Sequence, residues 1–340
     1  MNTVAARHTG LPFVPYPAPD ELLGSWLLRV AQLYGLGLTT LLSRLDARPA
    51  GVAHLPQWFA IDARTVSLEA LSAAARLTRV GLAAMAPPGC RPRWPEELGA
   101  CTTCLTAPAE AAQPVAWSRS WMNPLATVCR VHGALLTPLA TRRLTCVRHA
   151  GDFGAVVQLL AVAQRPDDEL VCASDALWLQ DRCTAQTAAH LPWGRTMPHD
   201  LIRIVEAVAR EVIAASDSGT GRLGLRADPR QGSVKSFAFE LGNAERVGVS
   251  LPTRLRQRQR VMARVAHVLR WPSEERARFS SWSAASIKRL ASMRSWPDGA
   301  LAWICPPAAK LVRQQDSLRR EFSISPTYFK ACAALFASTQ

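Results

Sequence analysis

Cysteine and histidine spacing points to metal chemistry. Cys101 and Cys104 are separated by two residues, and so are Cys129 and His132. A two-residue gap lets a tight turn present both side chains to one ion. Two such pairs supply four soft or borderline donors in a tetrahedron, the arrangement zinc favours. Four protein ligands leave no open position for a catalytic water, so such a site holds a fold together rather than turning over a substrate. The 24 residues between the pairs leave room for the chain to fold back, and Trp117 and Trp121 among them are expected to pack over the site and exclude water. A second set is less regular: Cys146 and His149 repeat the spacing, with Cys172 and Cys183 as candidate partners. Cys90, Cys305 and Cys332 stand alone and read as core or chance residues.

No other local pattern supports catalysis. The chain lacks a P-loop, a Gly-x-Ser-x-Gly elbow and a His-Glu-x-x-His helix. Asp167, Asp168 and Glu169 form an acidic cluster, which a solvated turn after Pro166 explains. A zinc-dependent nuclease or hydrolase would need an open metal position, or carboxylates gathered from distant points of the chain. The residues therefore favour a structural metal site over a catalytic one.

Charge supports contact with nucleic acid. The 340 residues carry a formal net charge of +14, and most of the positive charge is arginine. Arginine is weakly hydrated and fork-shaped, and it suits phosphate. No stretch approaches the about 18 apolar residues that a membrane span needs, and no apolar leader precedes residue 20. Nine cysteines without such a leader fit a reducing compartment, so a cytoplasmic, nucleoid-associated location is expected.

The elements that must position the four ligands are mostly helical. Residues 11–19 are proline-rich and end at Asp20, which suits an N-cap. Leu22, Leu23, Trp26, Leu27, Val30, Leu33 and Tyr34 then recur at helical spacing, with Arg29 and Gln32 off that stripe and Gly35 and Gly37 as stop signals. A short helix from Thr39 to Leu45 follows. Residues 67–86 read as two short helices broken near Leu77–Thr78, with Ser67 as cap and Leu68, Leu71, Ala75, Val80, Leu82 and Met85 as the apolar faces. That pattern fits a helix-turn-helix or a plain helical hairpin. An amphipathic helix is expected over 201–215 and a linker over 216–235. Near the C-terminal third, Leu255, Met262, Val265, Val268 and Leu269 share a face. Arg254, Arg256, Arg258, Arg260 and Arg264 surround it and are candidate contacts to nucleic acid or a partner.

The expected fold is mainly α: a helical, helix-turn-helix-like region over 1–89, a small zinc-ribbon or knuckle module over 90–150, a helical connector over 151–235 and a basic helical C-terminal domain over 236–340.

Two stretches together resemble the TniQ family. The opening from Pro15 to Arg29 is similar to the proline-rich start and first helix of those proteins, with Glu21, Ser25, Trp26, Leu27 and Arg29 carrying the match. Downstream, Cys101, Cys104, Trp117 and the run Thr127-Val-Cys-Arg-Val-His-Gly-Ala-Leu-Leu136 follow the family's order of a Cys-x-x-Cys, an aromatic stretch and a Cys-x-x-His-Gly knuckle. The resemblance spans about residues 11–150. Many members continue with a second Cys-x-x-Cys knuckle, where this chain has Cys146 and His149. The resemblance implies target-site selection in DNA transposition. The partners it implies are an AAA+ transposition regulator and either a CRISPR RNA-guided effector complex or target DNA read directly, with a homodimer as one arrangement. Neither route involves DNA cleavage by the protein. The alternative is a stand-alone, zinc-containing, sequence-specific DNA-binding protein of the TnsD or regulator type.

Overall fold

A computed structural model describes residues 10–48, 57–87, 95–111, 115–148, 150–163, 173–185, 187–217, 236–241, 247–271, 284–292, 296 and 300–322. The chain is mostly helical, as expected, with three two-stranded antiparallel sheets among the described residues. The helices up to the first strand are α1 (Leu23–Leu33), α2 (Leu38–Arg44), α3 (Leu68–Ala75) and α4 (Arg79–Ala84). Strand β1 (Glu97–Ala100) leads directly into α5 (Thr102–Glu110) and pairs with β2 (Thr137–Ala140), which runs into α6 (Thr141–Leu144). Then come α7 (Phe153–Ala163), α8 (Ala173–Thr184), the hairpin β3 (Ala189–Leu191) and β4 (Gly194–Thr196), and α9 (Pro198–Asp217). The chain continues with β5 (Ser236–Leu241), β6 (Val247–Pro252), α10 (Leu255–Arg270), α11 (Ala284–Ser292), α12 (Ala300–Ile304) and α13 (Pro306–Phe322). Two compact units result: residues 1–181 with 225–263, and residues 182–224 with 264–340.

In the first unit, α1 is the central element. It is buried nearly all round rather than along one stripe. Leu23, Trp26, Leu27, Val30 and Ala31 join a core with Leu41, Leu42, Ile61, Leu71 and Leu82. Leu22 and Leu28 face a second core containing Trp58, Trp117, Trp121, Phe153 and the cysteines 101 and 129. Leu33, expected in the stripe, is exposed, whereas Tyr34 packs against the first core. Gly35 closes α1 with φ 61, and Leu36 donates its N–H back to Ala31. Asp20 is not the cap. Leu22 holds that position without a side-chain hydrogen bond, and Asp20, itself at φ 55, turns its carboxylate to Ser118 and Ser120.

Gly24 is where α1 meets the turn at Trp58. A Cβ there would lie 1.7 Å from the Trp58 carbonyl oxygen and 2.6 Å from its carbon. Backbone on both sides cannot give way as a side-chain tip can. Gly24→Ala is therefore expected to destabilise the unit by about 3 kcal/mol or more, read as a lowered urea midpoint; an unchanged midpoint would contradict this packing.

Helices α3 and α4 appear with their break where the sequence places it. Ser67 Oγ accepts the Ala70 N–H at 3.2 Å, Arg76 takes the left-handed turn at φ 57, and Thr78 Oγ1 accepts the Gly81 N–H at 3.0 Å. Helix α4 is shorter than the expected apolar face requires. Only Leu82 is buried, and Val80, expected on that face, is exposed.

The second unit is held by the apolar side of α9, which buries Leu201, Ile204, Val205, Val208 and Val212, as the periodicity over 201–215 predicts. Trp303 donates to the Leu269 carbonyl at 3.2 Å, and Trp296 donates to the Leu290 carbonyl at 2.9 Å. No described helix is long and apolar enough to cross a membrane. Of the linker expected over 216–235, residues 218–235 lie outside the described residues.

Candidate metal centre

The pairing of β1 with β2 brings the two ligand pairs together. Its register, from Glu97 opposite Ala140 to Ala100 opposite Thr137, sets Cys101 at the end of one strand beside the turn that precedes the other. Cys101 occupies the N-cap position of α5, and Cys104 lies one turn along that helix. The first pair is thus presented by a helix start. The second pair is a tight turn. Cys129 N–H bonds to the Ala134 carbonyl and Gly133 N–H to the Cys129 carbonyl, both at 2.8 Å, with Val128 bridged to Leu135. Gly133 sits at φ 64, a conformation that glycine adopts without strain.

The four donor atoms all lie within 4.8 Å of one another. A tetrahedral zinc with bonds of about 2.3 Å to sulfur and about 2.0–2.1 Å to nitrogen requires S···S near ~3.8 Å and S···N near ~3.6 Å. Cys104 Sγ to Cys129 Sγ is 3.7 Å. His132 Nδ1 lies 3.4 Å from Cys101 Sγ, 3.2 Å from Cys104 Sγ and 3.7 Å from Cys129 Sγ. The set therefore fits one zinc ion, with His132 facing it through Nδ1. Burial pushes the Cys101 thiol up, and burial together with the neighbouring thiols pushes Cys104 up strongly. Three crowded thiolates need a cation among them, and a divalent metal reverses the shift by coordinating them.

Trp117 and Trp121, expected to pack over the site, belong to the same core cluster as Cys101 and Cys129. Both are buried, with ring centroids 5.3 Å apart, and Trp117 also meets Trp58 edge-on at 5.8 Å. Of the second set, Cys146 is exposed with its Sγ 3.7 Å from the Arg142 carbonyl oxygen. Cys183 is buried, and its thiol is pushed up to about 12 by that burial. His149 and Cys172 lie outside the described residues. Cys305 is buried, as a core cysteine should be, while Cys90 and Cys332 lie outside the described residues.

A network that the hydrophobic pattern did not reveal ties this centre to α1. Ser25 and Arg29 lie one turn apart on one face of α1, and Glu21 stands just before its N-cap, four residues ahead of Ser25. Arg29 grips the buried Glu21 carboxylate with two donors, Nε to Oε1 at 2.9 Å and Nη2 to Oε2 at 2.6 Å. Ser25 donates to Glu21 Oε1 at 3.1 Å and accepts the Trp117 N–H at 2.9 Å. The same residues hold the proline-rich strap. Arg29 Nη2 reaches the Tyr16 carbonyl at 2.9 Å, Trp26 Nε1 the Pro15 carbonyl at 2.8 Å, and the Ala18 N–H bonds to Glu21. Backbone bonds complete the join, from Leu22 to Trp117 and from Arg119 to Asp20.

The candidate arginines divide. Arg258 is 1 % exposed and donates to the carbonyls of Pro252, Thr253 and Glu97 at 3.1, 2.9 and 2.6 Å. It is an internal strut that ties α10 to β1, and it is withdrawn from any phosphate. Its neighbour Gln259 is also buried, donating to the Thr127 and Leu136 carbonyls beside the knuckle. Arg264 is half-buried, which lowers its pKa by desolvation. Arg254 is exposed, and Arg256 and Arg260 are half-buried. Helix α10 is thus a largely buried helix in which Arg258 serves backbone carbonyls.

Residues 12–136 match the family model described as TniQ. No curated protein and no solved structure matches the chain.

Proposed function

Taking residues 12–136 as a TniQ family domain, we propose that this chain selects target sites for DNA transposition as a non-catalytic adaptor. It links a target-recognising element, either a CRISPR RNA-guided effector or a DNA site, to an AAA+ transposition regulator. The observation that carries this reading is that the matched segment contains both the α1 motif and the ligand knuckle, and that Ser25, Trp117 and Glu21 join them into one body.

Cys101, Cys104, Cys129 and His132 hold one structural zinc. Four protein ligands leave that ion no place for a substrate or water, which supports an absence of catalysis. The ion fixes the knuckle. The Glu21–Arg29 clamp then transmits that rigidity to the strap and α1, so that exposed groups are presented in a fixed arrangement to large partners.

A second reading, a stand-alone sequence-specific DNA-binding protein, is favoured by α4. This helix follows a three-residue turn and exposes every side chain but Leu82. One experiment separates the two: purification of the tagged chain from cells carrying the neighbouring genes, with nucleic acid retained and sequenced. Recovery of an AAA+ protein, with or without a guide RNA and effector, is the expected result. Recovery of one duplex sequence and no AAA+ protein would replace the adaptor with the regulator.

A further inference from the structure

Helix α6 and the turn after it place Arg142, Arg143 and Arg148 within seven residues, all exposed. Among the described residues no carboxylate pairs with their side chains, whereas Arg29, Arg119, Arg130 and Arg210 each have an acidic partner. Asp152, the nearest acid in the following sequence, bonds to the backbone N–H of Arg148 at 2.7 Å. The segment is also firmly seated. Thr141 N–H reaches the Glu96 carbonyl and Thr141 Oγ1 the Pro95 carbonyl. Trp58 Nε1 bonds to the Leu144 carbonyl at 2.9 Å, and Leu144 and Val147 are buried. Three guanidinium groups therefore project from a backbone that is already ordered, and binding a polyanion there costs little ordering entropy.

We propose that Arg142, Arg143 and Arg148 grip the sugar-phosphate backbone of duplex DNA. The assignment rests on the reading that the chain works on DNA, and it places the contact away from α10, where Arg258 is buried. Duplex is favoured over single strands because the exposed side chains of 141–148 are Arg, Thr and Cys, with no aromatic platform for unstacked bases. Contacts of this kind set position and supply salt-dependent affinity without reading sequence.

The test uses the full zinc-loaded chain and a fluorescein-labelled duplex of mixed sequence, followed by anisotropy over a salt series. The triple variant Arg142→Ala, Arg143→Ala, Arg148→Ala is compared with Arg44→Ala, Arg64→Ala, Arg195→Ala, which removes the same charge from exposed arginines elsewhere. Zinc content and thermal midpoint confirm that both fold. Loss of three phosphate contacts should flatten the slope of log K against log salt by about 2.7 and weaken binding about tenfold or more, with a much smaller change in the control. Equal losses in the two variants, or an unchanged slope in the first, would overturn the assignment. Cys146 lies inside the patch and is exposed, so its alkylation by maleimide should slow several-fold when duplex is bound; an unchanged rate with DNA bound would also overturn it. If the wild-type chain binds no duplex, the patch assignment falls. The adaptor reading then still stands or falls separately on recovery of the AAA+ protein. If the triple variant loses single-stranded RNA but keeps duplex, the occupant is RNA and this assignment is wrong.

Discussion

Stripping zinc from the full chain, or replacing Cys104 by Ser, is expected to melt the core around Trp58, Trp117 and Trp121 rather than merely loosen a surface turn. The ion is coupled to folding because its ligands come from two separate stretches of the chain that meet only when the β1–β2 pair and the core around it have formed. Cys101 and Cys104 start one helix, Cys129 and His132 form a turn, and 24 residues separate the pairs. Cys101 and Cys129 belong to the same core as the three tryptophans. Structural zinc contributes on the order of 10 kcal/mol to folding at neutral pH, which is as large as the net stability of a typical domain, about 5–15 kcal/mol. Tryptophan fluorescence should therefore shift red as a strong chelator removes the metal, and Cys104→Ser should purify with little zinc and no cooperative transition for this unit. A Cys104→Ser protein with a full equivalent of zinc and an unchanged midpoint would refute the four-ligand centre. Cys146→Ser gives the comparison. It should keep the zinc of the first centre, and loss of a further equivalent would establish that the second set binds metal as well.

The ligands of that centre were legible because metal coordination leaves a local trace. Two short gaps with the right side chains suffice, and no knowledge of the fold between them is needed. The Ser67 cap and the break before Thr78 were legible for a similar reason, since capping acts within one turn. The role of Asp20 was not. A short acidic side chain before a helix looks like a cap whether it bonds forward or across, and here it bonds to Ser118 and Ser120, about 100 residues on. Arg258 misleads in the same way. Among alternating arginines on an amphipathic helix, sequence has no means of telling which one meets carbonyls at the end of β6 and on β1. That outcome depends on long-range packing of the start of α10 against β1, which periodicity does not encode. Conversely, Arg142, Arg143 and Arg148 form no helical pattern, and only their exposure and the lack of an acidic partner among the described residues bring them forward.

The Glu21–Arg29 pair should be the most sensitive point outside the metal centre. The Glu21 side chain is fully buried and that of Arg29 is 10 % exposed, so the pair is little screened by water. A buried pair of this kind adds modest net stability, yet removing one partner leaves an uncompensated charge and costs about 3–5 kcal/mol. Arg29→Ala should thus lower the urea midpoint strongly. Arg29→Lys should recover only part of the loss, because a single ammonium cannot reproduce two bonds to the carboxylate and a third to the Tyr16 carbonyl. The double variant Glu21→Gln, Arg29→Met should be less destabilised than the sum of the singles, which is the signature of a direct pair. The clamp also reaches the metal core. Glu21 orients Ser25, Ser25 holds the Trp117 N–H, and Trp117 lies in the core of Cys101 and Cys129. Arg29→Ala should therefore speed zinc release to a chromogenic chelator and expose the strap near Tyr16 to proteolysis. Wild-type rates for both, in a variant shown to have lost the Arg29 contacts, would mean that the α1 motif and the metal centre are stabilised independently.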